Sequence, residues 1–242
     1  MKLRRGPLLL FAMAAVPAAY ADSATIVTGS LGGTSDFVFR GLSLTRGKPA
    51  AQGSIDVEFP KEFYVGVFAA TCDPNPGPSP GLEVDIWAGR YWRVSGDFSA
   101  DFRLSQYTYP DDPRRKSYNR TEVTGTVGFR NQVFFATSYS PEVEAVASSP
   151  GYVEGQTWAF ELSGRHAIND RFAVSAGFGH YALEDVYHDS YNYWNVTLTA
   201  TLAPFELQLA YLGVDDSAEE HFDPDAVGDR VALTALWRFS NQ

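Results

Sequence analysis

The sequence has 242 residues, a formal charge of −10, 45% hydrophobic residues and a single cysteine. The acidic balance excludes a phosphate-backbone partner, so no nucleic acid is expected, and one cysteine excludes an internal disulfide framework. The averages alone do not separate a soluble domain from a transmembrane barrel, whose strands carry one apolar and one polar row.

The first residues address the chain. Lys2, Arg4 and Arg5 form a positive start, Pro7 to Val16 an apolar stretch, and Ala19-Tyr20-Ala21 a small-x-small cleavage site. Residues 1–21 therefore read as a signal peptide, and residues 22–242 as one domain beginning at Asp22. Pro17 interrupts the apolar run and no second run of its length follows, so a retained membrane helix is not expected.

From there the pattern is period two almost throughout. Strands are predicted over 24–40, 51–59, 63–70, 82–92, 97–105, 119–129, 132–140, 156–166, 172–181, 191–202, 205–211 and 230–239. In 51–59, Ala51, Gly53, Ile55, Val57 and Phe59 oppose Gln52, Ser54, Asp56 and Glu58; in 97–105, Phe98, Ala100, Phe102 and Leu104 oppose Asp97, Ser99, Asp101, Arg103 and Ser105. Segments of about ten residues are what a tilted strand needs to cross hydrocarbon. The connections alternate: short at 60–62, 93–96, 130–131, 168–171 and 203–204, long at 41–49, 71–81, 110–118, 141–155, 182–190 and 212–229. Tight periplasmic turns and extended outer loops produce this parity in an outer-membrane barrel, whereas a soluble sandwich has no reason to sort its loops. The fold class is thus all-β, a transmembrane antiparallel barrel of about twelve strands.

Several details accompany this reading. The last strand sets Val231, Leu233, Ala235, Trp237 and Phe239 in one apolar row near the C-terminus, which resembles the ending read by barrel-assembly machinery, although Ser240-Asn241-Gln242 follow it. Aromatics gather near strand ends (Trp87, Tyr91, Trp92, Tyr107, Tyr109, Tyr191, Tyr193, Trp194, Trp237, Phe239), as two interfacial girdles would require. Asp73 to Gly81 is a proline-rich loop, and Cys72 reads as an incidental loop thiol. Asn119-Arg120-Thr121 and Asn195-Val196-Thr197 match a glycosylation sequon, but on barrel strands they become polar lumen residues.

The inward row collects both charge signs, with acids in excess. The candidate pore-lining residues are Asp36, Arg40, Asp56, Glu58, Asp85, Asp101, Arg103, Glu122, Glu161, Arg165, Glu206 and Arg238, and Glu83, Asp97 and Arg230 share the pattern. An open lumen with these side chains would favour cations; a narrow one would be filled by their pairing. His188-Asp189-Ser190 places a His and a Ser two apart, but in a predicted loop, and neither a G-x-S-x-G elbow nor an H-E-x-x-H helix occurs. The last long loop is acidic, with Asp215, Asp216, Glu219, Glu220, Asp223, Asp225 and Asp229 around His221; solvated charge is its favoured reading, and divalent cations could bridge it to lipopolysaccharide.

Ser35-Asp36-Phe37-Val38-Phe39-Arg40-Gly41, then Gly47-Lys48-Pro49-Ala50, Tyr64-Val65-Gly66-Val67 and Glu83-Val84-Asp85-Ile86-Trp87-Ala88-Gly89 resemble the opening of the TorF-type porins, a proteobacterial family of largely uncharacterised proteins. The likeness covers about the first third of the mature chain. It implies an outer-membrane porin of unknown solute and carries no catalytic residues. Read physically, Phe37 and Phe39 would face lipid, with Asp36 and Arg40 turned to the lumen.

The expectation is therefore a passive channel for small hydrophilic solutes in the bacterial outer membrane, with weak cation preference, no cofactor and no enzymatic activity. Its partners would be outer-membrane lipid, lipopolysaccharide and the assembly machinery. A closed barrel working through its outer loops is the alternative, and a lipid-modifying enzyme using His188 or Ser190 a more distant one. N-terminal sequencing of protein extracted from the outer membrane is expected to begin at Asp22; a chain retaining residues 1–21 would remove the leader assignment.

Overall fold

The computed structural model describes residues 25–74, 81–112, 119–144 and 154–241. The leader, the middle of the proline-rich loop and parts of two other long loops lie outside the described residues.

Strands β1 (Ile26–Thr34), β4 (Ala50–Glu58), β5 (Phe63–Thr71), β6 (Leu82–Arg93), β7 (Phe98–Thr108), β8 (Arg120–Phe129), β9 (Val133–Glu144), β10 (Glu154–Ala167), β11 (Phe172–Ala182), β12 (Ser190–Leu202), β13 (Phe205–Val214) and β14 (Arg230–Ser240) form one closed barrel. Each pairs antiparallel with its neighbours, and β1 closes the ring by pairing with both β4 and β14. Between β1 and β4 lie the two short strands β2 (Val38–Phe39) and β3 (Leu42–Ser43), which pair only with each other. Short helices α1 (Glu184–Tyr187) and α2 (Asp216–His221) sit in two of the long connections.

Closure follows from the sequence pattern. Along β13, Glu206, Gln208, Ala210 and Leu212 are buried, while Phe205, Leu207, Leu209 and Tyr211 are exposed. Leu209 lies beside Leu198 of β12 and Leu233 of β14, both also exposed. The same outward row runs through Ile55, Val67, Phe102, Phe135, Leu162, Phe178 and Val196 around the ring. A continuous apolar exterior is disfavoured in water but matches hydrocarbon, where strands must also pair every backbone N–H and C=O without leaving an edge. The short turns all lie at one end, where the described termini also meet: the Val27 amide donates to Asn241 Oδ1 at 3.0 Å.

Two expectations are corrected. The first strand ends at Thr34, not at residue 40. The Thr34 hydroxyl donates to the Asp36 carbonyl at 2.8 Å and Ser35 Oγ accepts the Leu233 amide at 2.9 Å, so the chain turns off the ladder and enters the barrel. The aromatic girdle is also thinner than the sequence indicates. Trp92, Trp194, Trp237 and Phe239 keep the outward register, but Tyr91, Tyr107, Tyr109, Tyr191 and Tyr193 are buried in the interior row. Trp87 joins that row and lies across its cross-strand neighbour Gly66, where a Cβ would come within 2.4 Å of the indole.

Leu209→Arg would put a charge in the middle of the apolar belt and is expected to cost about 2–4 kcal/mol in lipid, against about 0–1 kcal/mol for Leu202→Arg near the short turns. Denaturant unfolding in vesicles measures both; equal effects would contradict the belt.

Candidate functional site

The interior is organised by the segment between β1 and β4. Val38 pairs with Ser43 and Phe39 with Leu42, so Arg40 and Gly41 form a two-residue tip, with φ of 48° and 81°. Positive φ at both positions is the geometry of a tight hairpin matched to strand twist. Gly41 is required twice over, by its backbone angle and because a Cβ there would meet Val214 Cγ1 at 2.4 Å and Tyr193 Cβ at 2.9 Å. A non-glycine residue in this conformation costs on the order of 1–3 kcal/mol, and the contacts of Arg40 offset it. Its Nη2 pairs with Glu122 Oε2 at 2.8 Å, its guanidinium lies 4.8 Å from the Phe39 ring and 4.6 Å from that of Tyr181, and its carbonyl accepts the Tyr191 hydroxyl at 3.1 Å.

Asp36 fixes the base of the hairpin. Its Oδ1 accepts the hydroxyls of Ser43 at 2.5 Å and Thr45 at 2.8 Å, and its Oδ2 accepts Arg230 Nη1 at 2.8 Å. The last long connection covers the hairpin from outside: the Ser43 amide donates to the Ala226 carbonyl at 2.8 Å, and Arg46 pairs with Asp223 and Asp225.

Two interior levels result. Around the hairpin the lumen is filled among the described residues, since Thr34, Glu83, Glu122, Ser138, Ala159, Tyr193 and Leu212 point inward from all sides and each is at most 6% exposed. Here the Arg120 guanidinium sits 3.8 Å over the Tyr107 ring, Tyr193 donates to Glu161 at 2.7 Å, and Tyr109 donates to Glu83 at 2.5 Å. Tyr193 can lie flat there because its cross-strand neighbour is Gly179, where a Cβ would come within 2.2 Å of the ring. Toward the short turns, Asp56, Glu58, Asp101, Arg165 and Arg238 face inward and are partly exposed, so this end of the interior is a less tightly filled vestibule. Tyr64 donates to Asp101 at 2.9 Å, and Glu206 accepts Arg238 at 2.6 Å and Gln208 Nε2 at 2.7 Å.

The twelve candidates thus divide. Arg40, Asp36, Asp85, Glu122 and Glu161 belong to the filled level, with Arg103 buried below it; Asp56, Glu58, Asp101, Arg165 and Arg238 face the vestibule, with Glu206 buried at its wall. Phe37 and Phe39 do not face lipid. Phe37 is buried against Phe68, and Phe39 lies edge-on to Tyr107, because the whole motif has turned inward. Asp97 is in a turn, paired with Arg130 at 3.2 Å. Of the two sequons, Asn195 and Thr197 face the interior, but Asn119 and Thr121 do not: Thr121 donates to Gln106 on the outward register. Sequence reasoning missed Arg120, although it shares the inward row of Glu122, it missed Tyr193 by assigning that tyrosine to a girdle, and it gave Tyr64 no interior role. Cys72 lies in the connection after β5, where it packs with Phe37, Phe68 and Tyr109, and burial pushes its thiol up to about 12.

The outer loops form a second group. His188 caps α1 in a left-handed conformation, while Asp189 accepts the Ser190 amide at 2.7 Å and pairs with His221 at 2.8 Å. Those two hydrogen bonds, His221 first, hold the Asp189 carboxyl below its ordinary range. Ligand atoms of Asp189, Glu220 and His221 lie within 4.8 Å of one another, an arrangement compatible with a small cation but already satisfied internally at Asp189. The acidic last loop is more than solvated charge: Asp223 and Asp225 hold Arg46, Asp215 accepts Asn192, and Asp229 accepts Tyr211.

A family model described as "Bacterial protein of unknown function (Gcw_chp)" matches residues 18–239. No curated protein matches the sequence. Among solved structures, the KdgM porin is similar with a TM-score of 0.54 at 10% identity, over 88% of this chain and 99% of that one. The KdgM porin in complex with disordered oligogalacturonate gives the same values. OccAB4 of Acinetobacter baumannii is similar with a TM-score of 0.42 at 9% identity, over 91% of this chain and 63% of that one.

Arg40→Met leaves the Glu122 carboxylate buried without its main partner. It is expected to lower unfolding stability in detergent by about 3 kcal/mol, the low end for a broken buried pair, because Arg103 and Arg120 remain near. Arg40→Met with Glu122→Met is expected to recover most of that loss; a double variant as unstable as the single would show that the pair does not act as a unit.

Proposed function

The chain belongs to that bacterial family of unknown function, and from this premise we propose that it is a porin-like outer-membrane channel in which small hydrophilic solutes diffuse passively past the inward hairpin. The observation that carries the reading is the interior row: a closed barrel with an apolar exterior has a polar, charged inner wall, and in its short-turn half Asp56, Asp101 and Arg165 keep part of their surface exposed. An interior that served only to pack would be filled along its whole length. The fold shared with the KdgM porin and the resemblance to TorF-type porins support the same reading. No energy coupling is needed, since diffusion through a charged constriction is sufficient.

In this reading the pore-lining set is Asp56, Glu58, Asp101, Arg165 and Arg238 in the vestibule, backed by the buried Arg103 and Glu206, with Asp36, Arg40, Asp85, Glu122 and Glu161 at the constriction. The excess of carboxylates gives a weak cation preference. The apolar belt faces outer-membrane lipid, the acidic outer loops meet lipopolysaccharide through divalent cations, and Trp237 and Phe239 on β14 present the strand to the assembly machinery.

The second reading, a closed barrel acting through its loops, draws on the filled level around Arg40. Planar-bilayer recording separates the two. Wild-type protein is expected to give small, infrequent conductance steps, and a variant with residues 37–44 replaced by a Gly-Ser linker larger ones. Silence from both would remove the channel and leave the closed barrel. A reversal potential on the anion side under a salt gradient would overturn the cation preference alone.

A further inference from the structure

One stretch of the interior wall differs from the charged rows around it. Asn195 and Thr197 are two apart on β12 and face inward; Ser175 is the cross-strand neighbour of Thr197 on β11, and Gln208 on β13 is the neighbour of Thr199. Asn195 is 4% exposed, Thr197 0% and Gln208 1%. Asn195 Nδ2, Thr197 Oγ1, Ser175 Oγ and Gln208 Oε1 are buried, and among the described residues none has a hydrogen-bond partner. Buried polar atoms are almost always paired, and each one left unmade is costly. Four on adjacent positions of three neighbouring strands form one surface with unspent hydrogen-bonding capacity.

The hairpin sits at its edge. Val38 packs on Ala210, Leu212 and Ala232, and Ala210 and Leu212 are the cross-strand neighbours of Thr197 and Asn195. The hairpin thus lays an apolar side chain beside a wall built from amide and hydroxyl groups. The wall offers an amide donor, an amide acceptor and two hydroxyls able to act either way. Cross-strand neighbours stand about 5 Å apart and next-but-one positions on a strand about 7 Å apart, so the four groups spread over a patch that only a solute carrying several hydroxyls could satisfy together.

We propose that this wall is the solute-recognition surface of the channel, and that its ligands are uncharged, hydroxyl-rich solutes of the oligosaccharide class, which take up these four groups when the hairpin withdraws. The inference rests on the channel reading and refines it: charge in the vestibule sets ion preference, whereas the neutral wall sets affinity for the organic solute. The hairpin in its inward position occupies the edge of the solute's path.

The test is block of KCl current in planar bilayers, using the variant with residues 37–44 replaced by a Gly-Ser linker and maltotriose as the probe. Thr197→Val and Asn195→Leu remove polar atoms while keeping bulk, and each is expected to raise the half-blocking maltotriose concentration about fivefold, the effect of one lost hydrogen bond. Thr197→Val is also expected to hold or raise the unfolding temperature in detergent, because it removes an unpaired buried hydroxyl. Unchanged half-blocking concentrations in both variants would overturn the proposal while leaving the channel standing, as would a trigalacturonate that blocks at lower concentration than maltotriose. A lowered unfolding temperature for Thr197→Val would overturn it too, by showing the hydroxyl already paired. A protein silent in KCl, with and without the hairpin, would defeat the channel reading itself and this inference with it.

Discussion

Hydrocarbon offers the backbone no hydrogen-bond partner, and the architecture follows from that constraint. Every strand must give its N–H and C=O groups to a neighbour, so the sheet has to close, and closure creates an interior reached only from its ends. The ring of twelve strands is wide enough that its inward side chains do not all reach one another. Something must occupy the remaining space, and at one level this chain uses its own hairpin, while toward the short turns the inward side chains stay partly exposed.

The hairpin is anchored at its base, its tip and its exit. Asp36 gathers Ser43, Thr45 and Arg230 at its base, Arg40 reaches Glu122 at its tip, and Arg46 ties its exit to the last long loop. Each anchor is electrostatic, while the sides of the hairpin meet the barrel through Phe37, Phe39 and Val38. Charged anchors in a dry setting are directional and costly to break singly, so the segment holds a defined inward position instead of a loose collapse into the lumen, and leaving that position requires several anchors to break together. The outermost anchors, Arg46 with Asp223 and Asp225, are more exposed and therefore more sensitive to salt.

The barrel was legible in the sequence because alternation and loop parity are local signals repeated many times. The run from Ala51 to Phe59 declares its two faces without reference to anything else, and the structure keeps those faces. The hairpin was illegible for the opposite reason. Phe37, Val38 and Phe39 also read as strand, and only contacts to residues far along the chain, Glu122, Tyr191 and Arg230, decide that this strand leaves the wall. The Arg40-Gly41 pair was the available sign, since a glycine after a polar residue between short apolar runs marks a tight turn. The tyrosines misled in a related way: composition near strand ends cannot say which face a ring takes, and for Tyr107, Tyr191 and Tyr193 the register assigns them to the inside. Asn195 and Thr197 were recognised as interior positions, but their lack of partners depends on what the neighbouring strands bring beside them.

Asp36 and Arg230 are joined across 194 positions of sequence, so a single contact links the base of the hairpin to the seam of the barrel. Arg230 opens β14, the strand whose pairing with β1 completes the ring, and the carboxylate that holds the hairpin inward therefore draws its guanidinium from the closing strand. Wall and hairpin are coupled through that pair: parting the β1–β14 seam would also strip the hairpin of one of its charged anchors.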